Sequence, residues 1–255
     1  MKFRPIMLLA LVLALVLGTQ AAFAASDKYR LVWTGNPATT MTIGWCQSSG
    51  TATGVKFGTD PNLSTFDTNT TITTRTYDNT LHAEGSPMDS HFVELTGLTP
   101  DTAYYFRTYD SQGDNEIFWF KTAPDTPGPV TFISGGDSRT NTEPRQWGNQ
   151  LVSKLRPLFV GFGGDYHDDC TNDEMRQWLD DWQLTISSDK RMYPIIPAHG
   201  NHENDMTEFV QLIFNMPNPD AYYATGLGGN MMRFYSLNTE LEPGVGYGAF
   251  TNQDD

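Results

Sequence analysis

The hydrophobic period of this chain changes once, and the change falls on a stretch that can continue neither a helix nor a central strand. Thr122-Ala123-Pro124-Asp125-Thr126-Pro127-Gly128-Pro129 carries three prolines and a glycine in eight residues. Each proline locks φ and removes a backbone donor, so the stretch reads as a boundary. Before it, Met41, Ile43 and Trp45 alternate with Thr42 and Gly44, Val55 and Phe57 flank Lys56, and Val93 and Leu95 flank Glu94. Period two at short, regular spacing predicts strands of an all-β sandwich over residues 25–125.

Beyond the boundary the pattern becomes strand, helix, strand, helix, strand, helix, which predicts an α/β layer with parallel strands over residues 126–255. Val130-Thr131-Phe132-Ile133 is the first apolar run, and Trp147, Leu151 and Leu155 then recur at helical spacing as the expected inward face. Leu158–Phe162 is the second run. Thr171-x-x-Glu174 forms a capping box ahead of Met175, Trp178, Leu179, Trp182 and Ile186. Tyr193-Pro194-Ile195-Ile196 is the third, followed by Asp205-x-x-Glu208 and the stripe Phe209, Leu212, Ile213 and Met216. The three runs end in Gly136-Asp137, Gly164-Asp165 and Gly200-Asn201. In an open parallel sheet the carboxyl ends of the strands lie along one edge, where ligands bind, so Asp137, Asp165 and Asn201 are expected to converge.

Residues 1–24 read as a secretory signal peptide: Lys2 and Arg4, an apolar run from Met7 to Leu17, then Ala22-Phe23-Ala24. The expected location is therefore secreted or periplasmic, with no membrane partner once the segment is removed. The run is shorter than the ~20 residues that span a bilayer. Thirty acidic against sixteen basic side chains give a net charge of −14. That sign repels nucleic acid and anionic membranes, so no nucleic-acid partner is expected, and an anionic substrate needs a local source of positive charge. Cys46 and Cys170 are the only cysteines and lie on either side of the boundary. Two separate thiols, or one bond between the segments, are the expectations.

Leu98-x-Pro100-x-x-x-Tyr104 resembles the tyrosine corner of a fibronectin type III module. Gly136-Asp137-Ser138-Arg139, Gly164-Asp165-Tyr166-His167-Asp168 and Gly200-Asn201-His202-Glu203 resemble the first three signature blocks of the calcineurin-like metallophosphoesterases. With the preceding module, the arrangement is similar to the purple acid phosphatases. The resemblance implies a site for two metal ions, Fe, Mn or Zn, in which Asp137 binds one ion, Asp165 bridges both and Asn201 binds the second. It implies that His202 contacts the phosphate or protonates the leaving oxygen. The substrate would be a small phosphate ester, hydrolysed by metal-activated water. Paired cations neutralise the electron-rich phosphate and lower the pKa of water towards neutrality, and oxygen ligands with added imidazole suit these ions.

Three departures qualify the resemblance. Asp168 stands where the purple enzymes carry a ligating Tyr, and is read as either a replacement ligand or a solvated loop acid. Arg139 stands where Gly or His is usual; it either holds phosphate oxygens in a bidentate fork or pairs with an acidic neighbour. His167 and His199 flank the blocks and either line the pocket or are structural. No histidine follows His202, whereas the family completes its site from two later histidine blocks. The α/β segment is therefore expected to be the first half of its domain, poorly active alone, with an apolar face and sheet edge uncovered. Phosphodiesterase or nucleotidase activity, and a non-catalytic secreted binding protein on the same scaffold, are the alternatives.

Overall fold

A computed structural model describes residues 25–203, 206 and 208–238. The segment read as a signal peptide and the expected cap residue Asp205 lie outside the described residues. From the first segment, β1 (Ala25–Val32), β2 (Met41–Ser49), β6 (Met88–Leu95) and β5 (Thr73–Tyr77) form one antiparallel array. β3 (Ala52–Gly58), β4 (Asp67–Asn69), β7 (Ala103–Asp110), β8 (Gly113–Asp114) and β9 (Phe118–Lys121) form a second sheet. Residues 122–131 carry neither helix nor strand, as their prolines dictate.

After them come β10 (Phe132–Gly135), α1 (Thr142–Leu155), β11 (Phe159–Phe162), α2 (Asn172–Trp182) and β12 (Pro194–Pro197). The chain continues through the short turn Asn201–Glu203 to α3 (Phe209–Phe214), and then to a hairpin of β13 (Tyr223–Leu227) and β14 (Met232–Ser236). β10, β11 and β12 are parallel. They do not make a sheet of their own: β12 pairs in parallel with β1, Leu31 opposite Pro194 and Val32 opposite Ile195. One seven-stranded sheet, ordered β10-β11-β12-β1-β2-β6-β5, thus runs across the proline-rich stretch.

That sheet separates two cores, and alternate residues along its strands enter opposite ones. Leu31, Trp45, Phe159 and Ile196 face the second sheet. Val32, Cys46, Val160 and Ile195 face α2 and α3 with Trp178, Leu179, Phe209 and Ile213. From Met41 to Cys46 β2 is consequently buried on both faces, Thr42 and Met41 alike, although its period-two pattern reads as a half-exposed strand. Each large apolar side chain so buried contributes about 1.5–3 kcal/mol. In the second sheet's corner the Thr99 N–H donates to the Tyr104 hydroxyl at 3.0 Å.

The expected inward face of α1 is its outward one. Trp147, Leu151 and Leu155 are exposed, whereas Arg145, Asn149 and Val152 are buried. The reason is a polar partner: Asp181 on α2 accepts from Arg145 Nε and Nη2 at 2.9 and 2.6 Å and from Gln146 Nε2 at 2.7 Å, and its carbonyl accepts from Asn149 Nδ2. β10, the neighbouring strand, lies at the sheet edge with Phe132 exposed. Both thiols are free and buried. No helix among the described residues is long and apolar enough to cross a membrane.

Candidate functional site

β10, β11 and β12 deliver their following loops to one edge of the sheet, and there the backbone turns sharply. Asp137, Arg139 and Asp165 adopt left-handed φ values of 50°, 36° and 55°. Gly164 is also left-handed, at 86°, and a side chain there would run into the backbone of Gly200. Close approach of the loops after β11 and β12 therefore requires glycine. Such strained turns persist only where the surroundings fix them. Here the Asp137 N–H donates to the Gly164 carbonyl at 2.9 Å, and the Ser138 and Arg139 N–H groups donate to the Asp165 carbonyl at 3.0 and 3.2 Å.

Asp137 and Asp165 share one cation. Arg139 Nε donates to Asp137 Oδ1 at 2.8 Å and its Nη2 to Asp165 Oδ2 at 3.4 Å. The two acids differ in setting: the Asp137 side chain is 70% exposed and that of Asp165 12%. Desolvation opposes the Arg139 charge, but the carboxylates of Asp137 and Asp165 outweigh it and hold its pKa up. The His202 N–H donates to Asp165 Oδ1 at 3.1 Å, which places the Asn201–Glu203 turn directly against that carboxylate. His202 Nδ1 donates to the Asp168 carbonyl at 2.6 Å, leaving Nε2 as the ring nitrogen for other chemistry. Asp137, Arg139, Asp165 and His202 thus form one hydrogen-bonded group, and Asn201 opens the turn that joins it.

The flanking candidates turn elsewhere. His167 is buried, its Nδ1 2.7 Å from Glu174 of the α2 capping box. His199 is buried with Nε2 donating to the Met206 carbonyl and its ring edge-on to Phe209. Asp168 enters through its carbonyl. Tyr166 is fully buried among Phe162, Trp178, Phe209 and Phe214, and burial together with the charge of Glu203 pushes its phenol well above the usual range. Its hydroxyl donates to the Ala198 carbonyl.

Glu203 was not marked as a site residue by the sequence, although it closes the third block. Fully buried, it accepts N–H bonds from Asp165 and Tyr166 at 3.2 and 3.0 Å, and from Gly200. The carboxylate staples the loop after β11 to the loop after β12. A Glu three residues beyond a Gly, at the close of a polar loop, is the local pattern that could have drawn attention to it.

Whether these residues suit a metal follows from their chemistry. Two carboxylates already neutralised by a guanidinium are a seat for a positive ion, and oxygen donors beside an imidazole suit hard or borderline divalent cations. Among the described residues no three His, Cys, Asp or Glu side chains gather closely enough to hold a metal ion. The group fits a shared cation on Asp137 and Asp165, and the described residues do not complete a two-ion centre.

Residues 26–122 match the family model for the purple acid phosphatase N-terminal domain. Two uncharacterized proteins of Mycobacterium tuberculosis, from strains CDC 1551 / Oshkosh and H37Rv, are each 30% identical over 131 residues. Those matches cover 45% of this chain and 25% of each relative, so the chain spans about a quarter of the length of these relatives. A solved structure described as that of PhoD superposes over 84% of this chain and 51% of its own, with a TM-score of 0.57 at 13% identity. That likeness is one of fold.

Proposed function

We propose that this chain comes from a secreted or periplasmic, metal-dependent phosphoric ester hydrolase of the calcineurin-like class, in which residues 26–122 form a fibronectin type III-like module. The observation that supports this most directly is the carboxylate pair Asp137 and Asp165, bridged by Arg139 beside His202 at the carboxyl ends of consecutive parallel strands. The match of residues 26–122 to the N-terminal domain of purple acid phosphatases supports it independently.

In this reading Asp137, Asp165 and Asn201 would supply part of the ligand set for two metal ions, of the Fe, Mn or Zn type. When bound, such ions neutralise charge on a phosphate ester and acidify water, the chemistry that makes hydrolysis accessible near neutral pH. Glu203 keeps the Asp165 backbone in its left-handed turn, so the carboxylate is presented at the sheet edge. His202, with Nδ1 committed to the Asp168 carbonyl, uses Nε2 to pass a proton to the leaving oxygen. Arg139 supplies the local positive charge that an acidic protein otherwise lacks for an anionic substrate. The substrate is a small phosphate monoester.

The test is p-nitrophenyl phosphate hydrolysis by the full-length protein, with and without chelator, comparing wild type with Asp165→Ala. Turnover is expected to disappear in both the chelated and the substituted samples. Unchanged rates in either would overturn the mechanism.

A further inference from the structure

Arg139 is held from both ends, and the two ends behave differently. Its backbone is fixed: the N–H donates to the Asp165 carbonyl, and its own carbonyl accepts from Arg145 Nη1 at 2.6 Å, Arg145 being itself buried against Asp181. Its guanidinium lies at the rim, 38% exposed, and among the described residues it is held by the Asp137 and Asp165 carboxylates, of which the first is mostly in water. Exposed ion pairs of this kind are weak. The anchor is rigid and the fork can be exchanged.

We propose that Arg139 is a specificity residue with two alternating partners: the Asp137 and Asp165 carboxylates when no metal cation sits between them, and the oxygens of a phosphate group when one does. The inference rests on the reading of Asp137 and Asp165 as cation ligands. Arg139 cannot keep both carboxylates while they coordinate another positive ion, because their negative charge is then spent and two like charges share one site. Released there, its planar fork stands beside the seated cation, the geometry in which a phosphate accepts from both. Cation and phosphate are therefore bound cooperatively, and linkage requires the effect to be reciprocal. An anion is admitted only to a site already loaded. For a chain of net charge −14 this is a means of drawing phosphate to one place.

The experiment titrates Mn²⁺ into the 255-residue chain by calorimetry, with and without inorganic phosphate, for wild type, Arg139→Gln, Arg139→Lys and Asp165→Asn. Circular dichroism and thermal melts confirm that each variant is folded. Without phosphate, Arg139→Gln is expected to bind Mn²⁺ about two- to fivefold more tightly than wild type, the range set by loss of exposed ion pairs. Phosphate is expected to tighten Mn²⁺ binding by wild type and to leave Arg139→Gln unchanged. Arg139→Lys, which keeps the charge without the fork, is expected to fall between them. If Asp165→Asn abolishes Mn²⁺ binding while Arg139→Gln matches wild type with and without phosphate, the exchange is refuted and the cation site stands. If Asp165→Asn binds Mn²⁺ as wild type does, or no folded protein binds it, the cation reading falls and the exchange with it.

Discussion

α1 and α2 occupy equivalent places in the chain, each linking two parallel strands of the same sheet, yet they are built in opposite senses. α2 begins on a complete capping box, with the Glu174 N–H donating to Thr171 Oγ1 and Glu174 Oε2 accepting from the Thr171 N–H, and it buries Met175, Trp178, Leu179 and Trp182. α1 begins at Asn141 with no side-chain cap and turns Trp147, Leu151 and Leu155 to the outside. Its attachment is a polar cluster centred on Asp181. A periodic apolar stripe thus establishes that a helix exists and leaves open what the stripe will meet. A buried charge pair decided the orientation of α1.

The largest expected effect tests that attachment. Arg145→Ala strands Asp181 in a buried setting and is expected to cost about 3–5 kcal/mol, measured by urea unfolding followed by tryptophan fluorescence. A loss under ~1 kcal/mol would mean that α1 is held by something other than its polar face. Next, the same residue type on the two helices separates the faces. Leu179→Ala is expected to cost about 2–5 kcal/mol and Leu151→Ala no more than ~0.5 kcal/mol. Equal losses would break the comparison. The caps come third: Thr171→Ala is expected to cost about 0.5–2 kcal/mol, whereas Asn141→Ala, which removes no side-chain cap, stays near zero.

The smallest expected effect belongs to the first segment. Burial holds the folded pKa of His91 below its ordinary value, with Asp89 opposing and Arg30 assisting. The folded state therefore binds this proton less readily than the unfolded state, so stability is complete above about pH 6.5 and declines as pH falls through the lower folded value. Thermal melts of wild type between pH 7.5 and 5 are expected to show that decline, and His91→Gln to flatten it. A steeper slope in the variant would reverse the sign assigned to the group.

Much of the layer was legible because its cues are local. Gly136-Asp137 and Gly164-Asp165 are turn-forming pairs at the ends of apolar runs, and their left-handed backbones bring Asp137 and Asp165 to a common guanidinium. The capping box of α2 was readable for the same reason. What escaped the sequence depends on distant partners. Pairing of Leu31 with Pro194 joins residues far apart in the sequence, and no short-range pattern encodes it. The second covered face of β2 follows from that pairing, since Thr42 and Gly44 read as the polar side of a strand. Glu203 became a staple only because the loop after β11 offers its N–H groups across the sheet edge.

The pairing of β1 with β12 also governs how the molecule can come apart. A protease that cuts between Thr122 and Thr131 severs the covalent link, yet the two fragments remain laced by ladder hydrogen bonds and by side chains that interdigitate on both sides of a common wall. They should travel together through a sizing column and melt as one body. Neither piece is a portable module: lifted out alone, each would carry a raw strand border where its companion had been.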